Sequence, residues 1–218
     1  MKPQTVEAHS AREVPTIMLG PVTKVEPLPF VTAVVPCRNE EKHIAKCLDS
    51  ILANDYPKDR MEILVLDGMS EDGTREIVRE YARRNACIHL VDNPQKHIPV
   101  AMNIGIKAAL GERILKMDAH STYQSEYISR CVHYQDVYGA ENVGGIWKMV
   151  PGADTTTARA IMLWLGHRFG SGNANVKVGV ENRRGRTRRR SAALREICLN
   201  GLDCLLSELF GQGKLLVI

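Results

Sequence analysis

Residues 63–74 read ILVLDGMSEDGT. Ile63-Leu64-Val65-Leu66 shows no polar alternation, so both faces of this strand need cover. That pattern belongs to parallel sheets sandwiched between helices. Asp67-Gly68 stops the strand and a short acidic loop follows. From Thr74 to Arg84 the residues Ile77, Val78, Tyr81 and Ala82 then fall on one helical stripe. Strand, polar turn and helix in this order form one unit of a layered α/β fold.

The same unit repeats on either side. Upstream, Val31–Val35 is a β-branched strand ending at Pro36, and residues 41–54 carry Ile44, Cys47, Leu48, Ile51 and Leu52 at helical spacing. Downstream, Ile88–Val91 is a third strand. Pro99 opens a helix that runs to Leu110, with Gly111 as its C-terminal cap. Ile114–Met117 is a fourth strand, Ser125–Tyr138 a fourth helix with Ile128, Cys131 and Val132 inward, and Val143–Trp147 a fifth strand. The expected fold class is α/β, with a mostly parallel sheet and helices on both faces. Residues 1–29, with five prolines and no period, read as an irregular lead-in.

At 218 residues the chain suits one domain, and 44% hydrophobic and 25% charged residues are globular values. The net charge of +4 belongs to residues 181–218, where eight basic side chains face four acidic ones, and residues 1–180 balance. Six scattered cysteines without a C-x-x-C pair exclude a zinc ribbon and a secreted disulfide framework. The first residues lack an apolar leader core, and no apolar run approaches the ~20 residues of a spanning helix. The expectation is a cytoplasmic chain, peripheral at the inner face of the membrane.

In layered α/β folds, ligands bind outside the carboxyl ends of the strands. The residues just after the strands are Pro36-Cys37-Arg38-Asn39-Glu40-Glu41, Asp67 to Thr74, and Asp118-Ala119-His120. No glycine stands between Gly20 and Gly68, which excludes a G-x-G-x-x-G dinucleotide turn; the phosphate-loop and H-E-x-x-H patterns are absent too. A rim of carboxylates suits a nucleoside diphosphate sugar, whose ribose and base offer donors to Asp67 and whose diphosphate is neutralised by a hard cation. Asp118 and His120, at i and i+2 on extended chain, project to one side and together suit manganese-like ions, less clearly magnesium.

The runs VVPCRNEE, LVLDGMSEDGT, AMNIGIKAALGERILKMDAHS and NVGG resemble the N-terminal half of a family 2 glycosyltransferase of the GT-A fold. The chain is most similar to bacterial exopolysaccharide (succinoglycan-type) transferases, over roughly residues 30–180. The resemblance implies a nucleotide-sugar donor, a divalent metal (Mn or Mg), an inverting single displacement, and a lipid-linked or polysaccharide acceptor. It implies that Pro36, Arg38, Asn39 and Glu40 border the nucleotide and that Asp67 faces the base. Asn103 and Gly105 match the family's N-x-G, and Asp118 and His120 stand as the metal motif. Two departures stand out. The motif ends in His120 where the family has Asp, and the later acidic motif that supplies the general base has no counterpart beyond Gly179. The catalytic residue is therefore unassigned, and a catalytically inactive nucleotide-sugar-binding fragment is the alternative expectation.

The tail, 181–218, reads as a basic arm, as a surface helix over Ser191–Leu209, or as the product of a truncation or frame shift. Its composition without the base motif favours the last. No aromatic interrupts the arginine run, so nucleic acid is not an expected partner. Asp72 and Thr74 are expected as loop and helix-cap residues, Trp147 and Trp164 in the core, and Cys37 as an unreactive neighbour of the site.

Overall fold

Five parallel strands form one sheet in the order β3-β2-β1-β4-β5. They are β1 (Val31–Cys37), β2 (Met61–Asp67), β3 (Ile88–Asp92), β4 (Arg113–Lys116) and β5 (Leu215–Val217). Between them run helices α1 (Ile44–Leu52), α2 (Thr74–Arg84), α3 (Ile98–Ala108), α4 (Tyr127–Tyr138) and α5 (Thr156–Leu165). The computed structural model describes residues 27–138, 143–145, 150, 153–165, 167 and 215–217.

Alternation along each strand assigns side chains to layers. Val31, Ala33 and Val35, with Met61, Ile63, Val65 and Leu115, face the buried sides of α1, α2 and α4. Val34, Leu64, Leu66 and Ile114 face Ala101, Met102 and Ile106 of α3. Helices therefore cover both faces, as the unalternated strands require. Ile44, Leu48 and Ile51 are wholly buried, and each such side chain stabilises the fold by about 1.5–3 kcal/mol. On the other face α3 lies so close to β1 that a Cβ at Gly105 would stand 2.6 Å from Val34 Cγ1.

Several boundaries differ from the sequence expectation. The first strand continues through Pro36 to Cys37, and α1 and α4 start later than read. α3 ends at Ala108 with Ala109 in extended geometry, so Gly111 does not cap it. Gly111 instead packs on β1, where a Cβ would meet the Thr32 nitrogen at 2.6 Å. Val143–Gly145 is not strand, and Ile146 and Trp147 lie outside the described residues. The fifth strand comes from the tail: Leu215–Val217 pairs with Arg113–Leu115. The helix expected over 191–209 lies outside the described residues, as does the lead-in before Pro27. Trp164 is 60% exposed on α5, not in the core, because none of that helix's residues is buried.

At the amino ends of the strands a polar knot replaces apolar packing. The Thr32 hydroxyl donates to buried Glu62 Oε1 at 2.6 Å, and the Leu110 amide donates to the same oxygen at 2.6 Å. The Gly111 amide donates to Thr32 Oγ1 at 2.9 Å. The turn into β4 is thus tied to β1 and β2.

Candidate functional site

β1 is the strand from which the order runs outward in both directions, to β2 and β3 on one side and to β4 on the other. The order reverses between β1 and β4, the point at which such sheets carry a ligand crevice outside the carboxyl ends of their strands. Pro36 helps to leave it open. Val34 O accepts from Met117 N at 2.9 Å, and Cys37 O accepts from Gly68 N at 2.8 Å. Residues two apart turn their backbone groups to the same neighbour, so the missing N–H of Pro36 falls on the β4 side, beyond the last rung of that pairing. A proline in this central strand leaves no donor unpaired.

The β1–β2 side of the crevice is tightly bonded. Cys37, Asp67 and Asp92 stand in register at the ends of three adjacent strands. The Asp67 carboxylate is fully buried, and four donors approach it: the Ser70 amide, the Ser70 hydroxyl, the Arg75 guanidinium at 2.5 Å and, more weakly, the Cys37 thiol at 3.9 Å. Arg75 also reaches Asp92 at 2.8 Å, and these two bonds raise its already high pKa. The loops after β1 and β2 are cross-tied. Asn39 N donates to Ser70 Oγ, Glu71 N to Asn39 Oδ1, Glu40 N to Thr74 Oγ1 and Glu41 N to Asp72 Oδ2. The N-cap position of α2 is Gly73, and Thr74 N, the first helical amide, donates to Asp72 Oδ1. Desolvation pushes the Asp72 carboxyl up, but the Thr74 hydroxyl and the surrounding amides outweigh it and hold the group below its ordinary range. Asn39 and Met69 both take left-handed φ, 54° and 56°; for Met69 that costs about 1 kcal/mol, and the bonds around it hold the turn.

The β4 side is more open. One oxygen of Asp118 accepts from Lys116 Nζ at 2.6 Å, and its partner Oδ2 has no donor among the described residues. Tyr123 pins the backbone: its hydroxyl accepts from Asp118 N at 2.6 Å and donates to Asp118 O at 3.3 Å. His120 is 63% exposed, with Nδ1 3.3 Å from Glu40 Oε1 across the crevice. A carboxylate on one imidazole nitrogen fixes the tautomer that leaves Nε2 free, the arrangement that metal-binding histidines commonly have. Among the described residues no cluster of three or more His, Cys, Asp or Glu side chains could hold a metal ion. The free atoms Asp118 Oδ2 and His120 Nε2 are two donors, a third of an octahedral shell, which fits an ion whose remaining ligands would be diphosphate oxygens and water.

Of the residues expected at the site, Pro36, Arg38, Asn39, Glu40 and Asp67 gather at the ends of β1 and β2, with the stem of Arg38 against Gly68. Asp118 and His120 follow β4 in a turn closed by Ser121 N donating to Asp118 O at 3.0 Å, not on the extended chain expected, and His120 meets Glu40. Asn103 sits in the α3 layer; its Oδ1 is buried without a partner, and among the described residues no hydrogen bond links it to the rim. Arg75, Tyr123 and Lys116 were not singled out from sequence. Nothing in the sequence distinguishes Arg75 or Lys116 from other charges, or Tyr123 from other tyrosines. Cys37 matches its reading: burial, then the nearby Asp67 and Glu40 charges, push its thiol up to about 12. Cys47, under Asp118, is likewise raised to about 12 by burial and then by Asp118.

Among the described residues no helix is long and apolar enough to cross a membrane. The chain is 30% identical to the succinoglycan biosynthesis protein ExoA of Rhizobium meliloti, over 67% of its own length and 44% of that protein's. It is 33% identical to the glycosyltransferase AglE of Haloferax volcanii, over 54% of its own length and 39% of that protein's. The chain thus spans less than half the length of these curated relatives. Among solved structures it resembles the mannosyltransferase PcManGT of Pyrobaculum calidifontis, in complex with GDP-Man and Mn2+, at TM-score 0.52 and 29% identity, over 56% of this chain and 36% of that one. It also resembles S. aureus TarS 1-349 in complex with UDP, at TM-score 0.51 and 26% identity, over 57% of this chain and 37% of that one. The model of glycosyl transferase family 2 matches residues 32–195, and the chain belongs to that family.

Proposed function

We propose that this chain binds a nucleoside diphosphate sugar in the β1/β4 crevice and transfers the sugar to a lipid-linked or polysaccharide acceptor in exopolysaccharide synthesis, with inversion. The observation that carries the reading is the pair of free donor atoms, Asp118 Oδ2 and His120 Nε2, across the crevice from a loop frame with Asp67 at its base. Pro36, Arg38, Asn39, Glu40, Asp67 and Asn103 border the nucleotide in this reading, and Asp118 and His120 hold a divalent ion, manganese or magnesium. Once bound, the ion would neutralise charge developing on the leaving diphosphate. The chain's own residues do the rest. Glu40 orients His120, Tyr123 fixes the Asp118 backbone, and the Arg75-held carboxylate of Asp67 fixes the loop that borders the nucleoside. Exposed Ile161, Leu163 and Trp164 on α5 support peripheral contact with the cytoplasmic face of a membrane, where a lipid-linked acceptor resides.

One observation favours a second reading, nucleotide-sugar binding without turnover. Every described carboxylate along the rim already has a partner: Asp67 and Asp92 hold Arg75, Asp118 holds Lys116, Glu40 meets His120, and Asp72 and Glu41 bond loop amides. The one oxygen left open, Asp118 Oδ2, is the one this reading assigns to the metal, so no described rim carboxylate is set aside for the acceptor's proton. Calorimetric titration with UDP- and GDP-sugars, with and without Mn2+, followed by chromatography for released nucleotide, separates the readings. Metal-dependent binding with release supports transfer, and binding without release supports the second reading. No binding to any of these donors would sink both.

A further inference from the structure

Lys116 ends β4 two residues before Asp118, and on extended chain the two side chains share a side. Nζ lies 2.6 Å from Asp118 Oδ1, with the side chains 26% and 31% exposed. Among the described residues no other cation pairs with Asp118. In this half-buried setting the ammonium already neutralises the carboxylate, and it repels any divalent ion that approaches the same oxygens. The lysine is not fixed to that partner. Its four-carbon arm is flexible, and three donors on a compact charge serve phosphate oxygens as well as carboxylate ones. An arriving diphosphate would offer more negative charge than Asp118 does.

We propose that Lys116 is a built-in stand-in cation: it covers Asp118 in the ligand-free chain and passes to the donor's diphosphate when a divalent ion takes the carboxylate. Metal and nucleotide then load together rather than separately. The inference rests on the donor-binding reading above, and linkage makes it measurable. Whatever factor the nucleotide adds to metal affinity, the metal must add to nucleotide affinity. Part of that shared factor is the release of Asp118 by Lys116.

The test is a four-cornered binding cycle on the full chain, for wild type, Lys116→Met and Lys116→Arg. Free Mn2+ is followed by electron paramagnetic resonance with and without UDP or GDP, and each nucleotide is titrated calorimetrically with and without Mn2+. Lys116→Met should bind Mn2+ alone about fivefold more tightly, the worth of a half-exposed ion pair. It should bind nucleotide alone more weakly, and its metal–nucleotide coupling factor should fall about fivefold. Lys116→Arg, which keeps the charge, should stay within about twofold of wild type. A merely structural lysine would change the melting temperature and leave the coupling factor alone. If Lys116→Met does not fold, Lys116→Gln carries the same expectations. Wild-type coupling with either nucleotide, retained in full by the neutral variant, overturns the role of Lys116 and spares the donor-binding reading. A wild type that binds neither nucleotide overturns that reading and this one with it.

Discussion

The two sides of the crevice are built differently. On the β1–β2 side a buried carboxylate has its acceptor positions filled by its own loop and by Arg75, and the neighbouring loops are tied amide to side chain. On the β4 side Asp118 keeps an open oxygen, His120 stands largely in solvent, and single contacts to Lys116 and Glu40 hold the pair. The first side is preorganised and has little to exchange. The second holds its charge in bonds that a ligand can replace. Such a division suits a ligand with one rigid, neutral end and one flexible, highly charged end, because only the charged end requires groups to change partners.

Substitutions can break the contrast. The largest effect is expected from Asp67→Ala, which strips the Ser70 amide and Arg75 of a buried acceptor. Loss of one partner of a buried ion pair costs about 3–5 kcal/mol, and Arg75 keeps Asp92, so urea unfolding should report a loss of about 3 kcal/mol. Asp118→Asn should leave urea stability within about 1 kcal/mol, as a partly exposed pair does, yet abolish Mn2+-dependent nucleotide binding in the calorimeter. If the two substitutions destabilise equally, the contrast between a filled and an exchangeable side fails. The smallest effect is expected from thiol chemistry. With Cys37 and Cys47 both raised to about 12, neither is appreciably thiolate at pH 8. Alkylation of the folded chain followed by mass spectrometry should leave both unmodified until urea is added. Fast labelling of Cys37 at pH 8 would mean that the β1 end opens more freely than its bonds indicate.

Much of the layering was legible because it depends on local pattern. Ile63–Leu66 without alternation, and the stripes at Ile44–Leu52 and Ile77–Ala82, dictate strand and helix before any tertiary contact forms. What escaped was set by contacts distant in sequence. Gly111 follows a helix and so resembles a cap, but its small size is required by Thr32, 79 residues away. The fifth strand carries only three residues, and Leu215–Val217 has no turn or period to distinguish it from any short apolar run. At the site, the acidic positions after the strands were legible, since carboxylates at strand ends need a reason. Their partners were not. Arg75 falls in the first turn of a polar helix face and Lys116 at the last rung of a strand, positions where a cation ordinarily faces water.

The knot of Thr32, Glu62 and Gly111 lies at the far end of the strands from the crevice. It clamps β4 against sliding along β1, and a slip of one residue would turn every side chain on β4 to the opposite face. Asp118 and Lys116 would then look into the wrong layer. The alignment of the charged motif is thus decided at the bottom of the sheet, much as the seating of a key's shank decides where its teeth meet the lock.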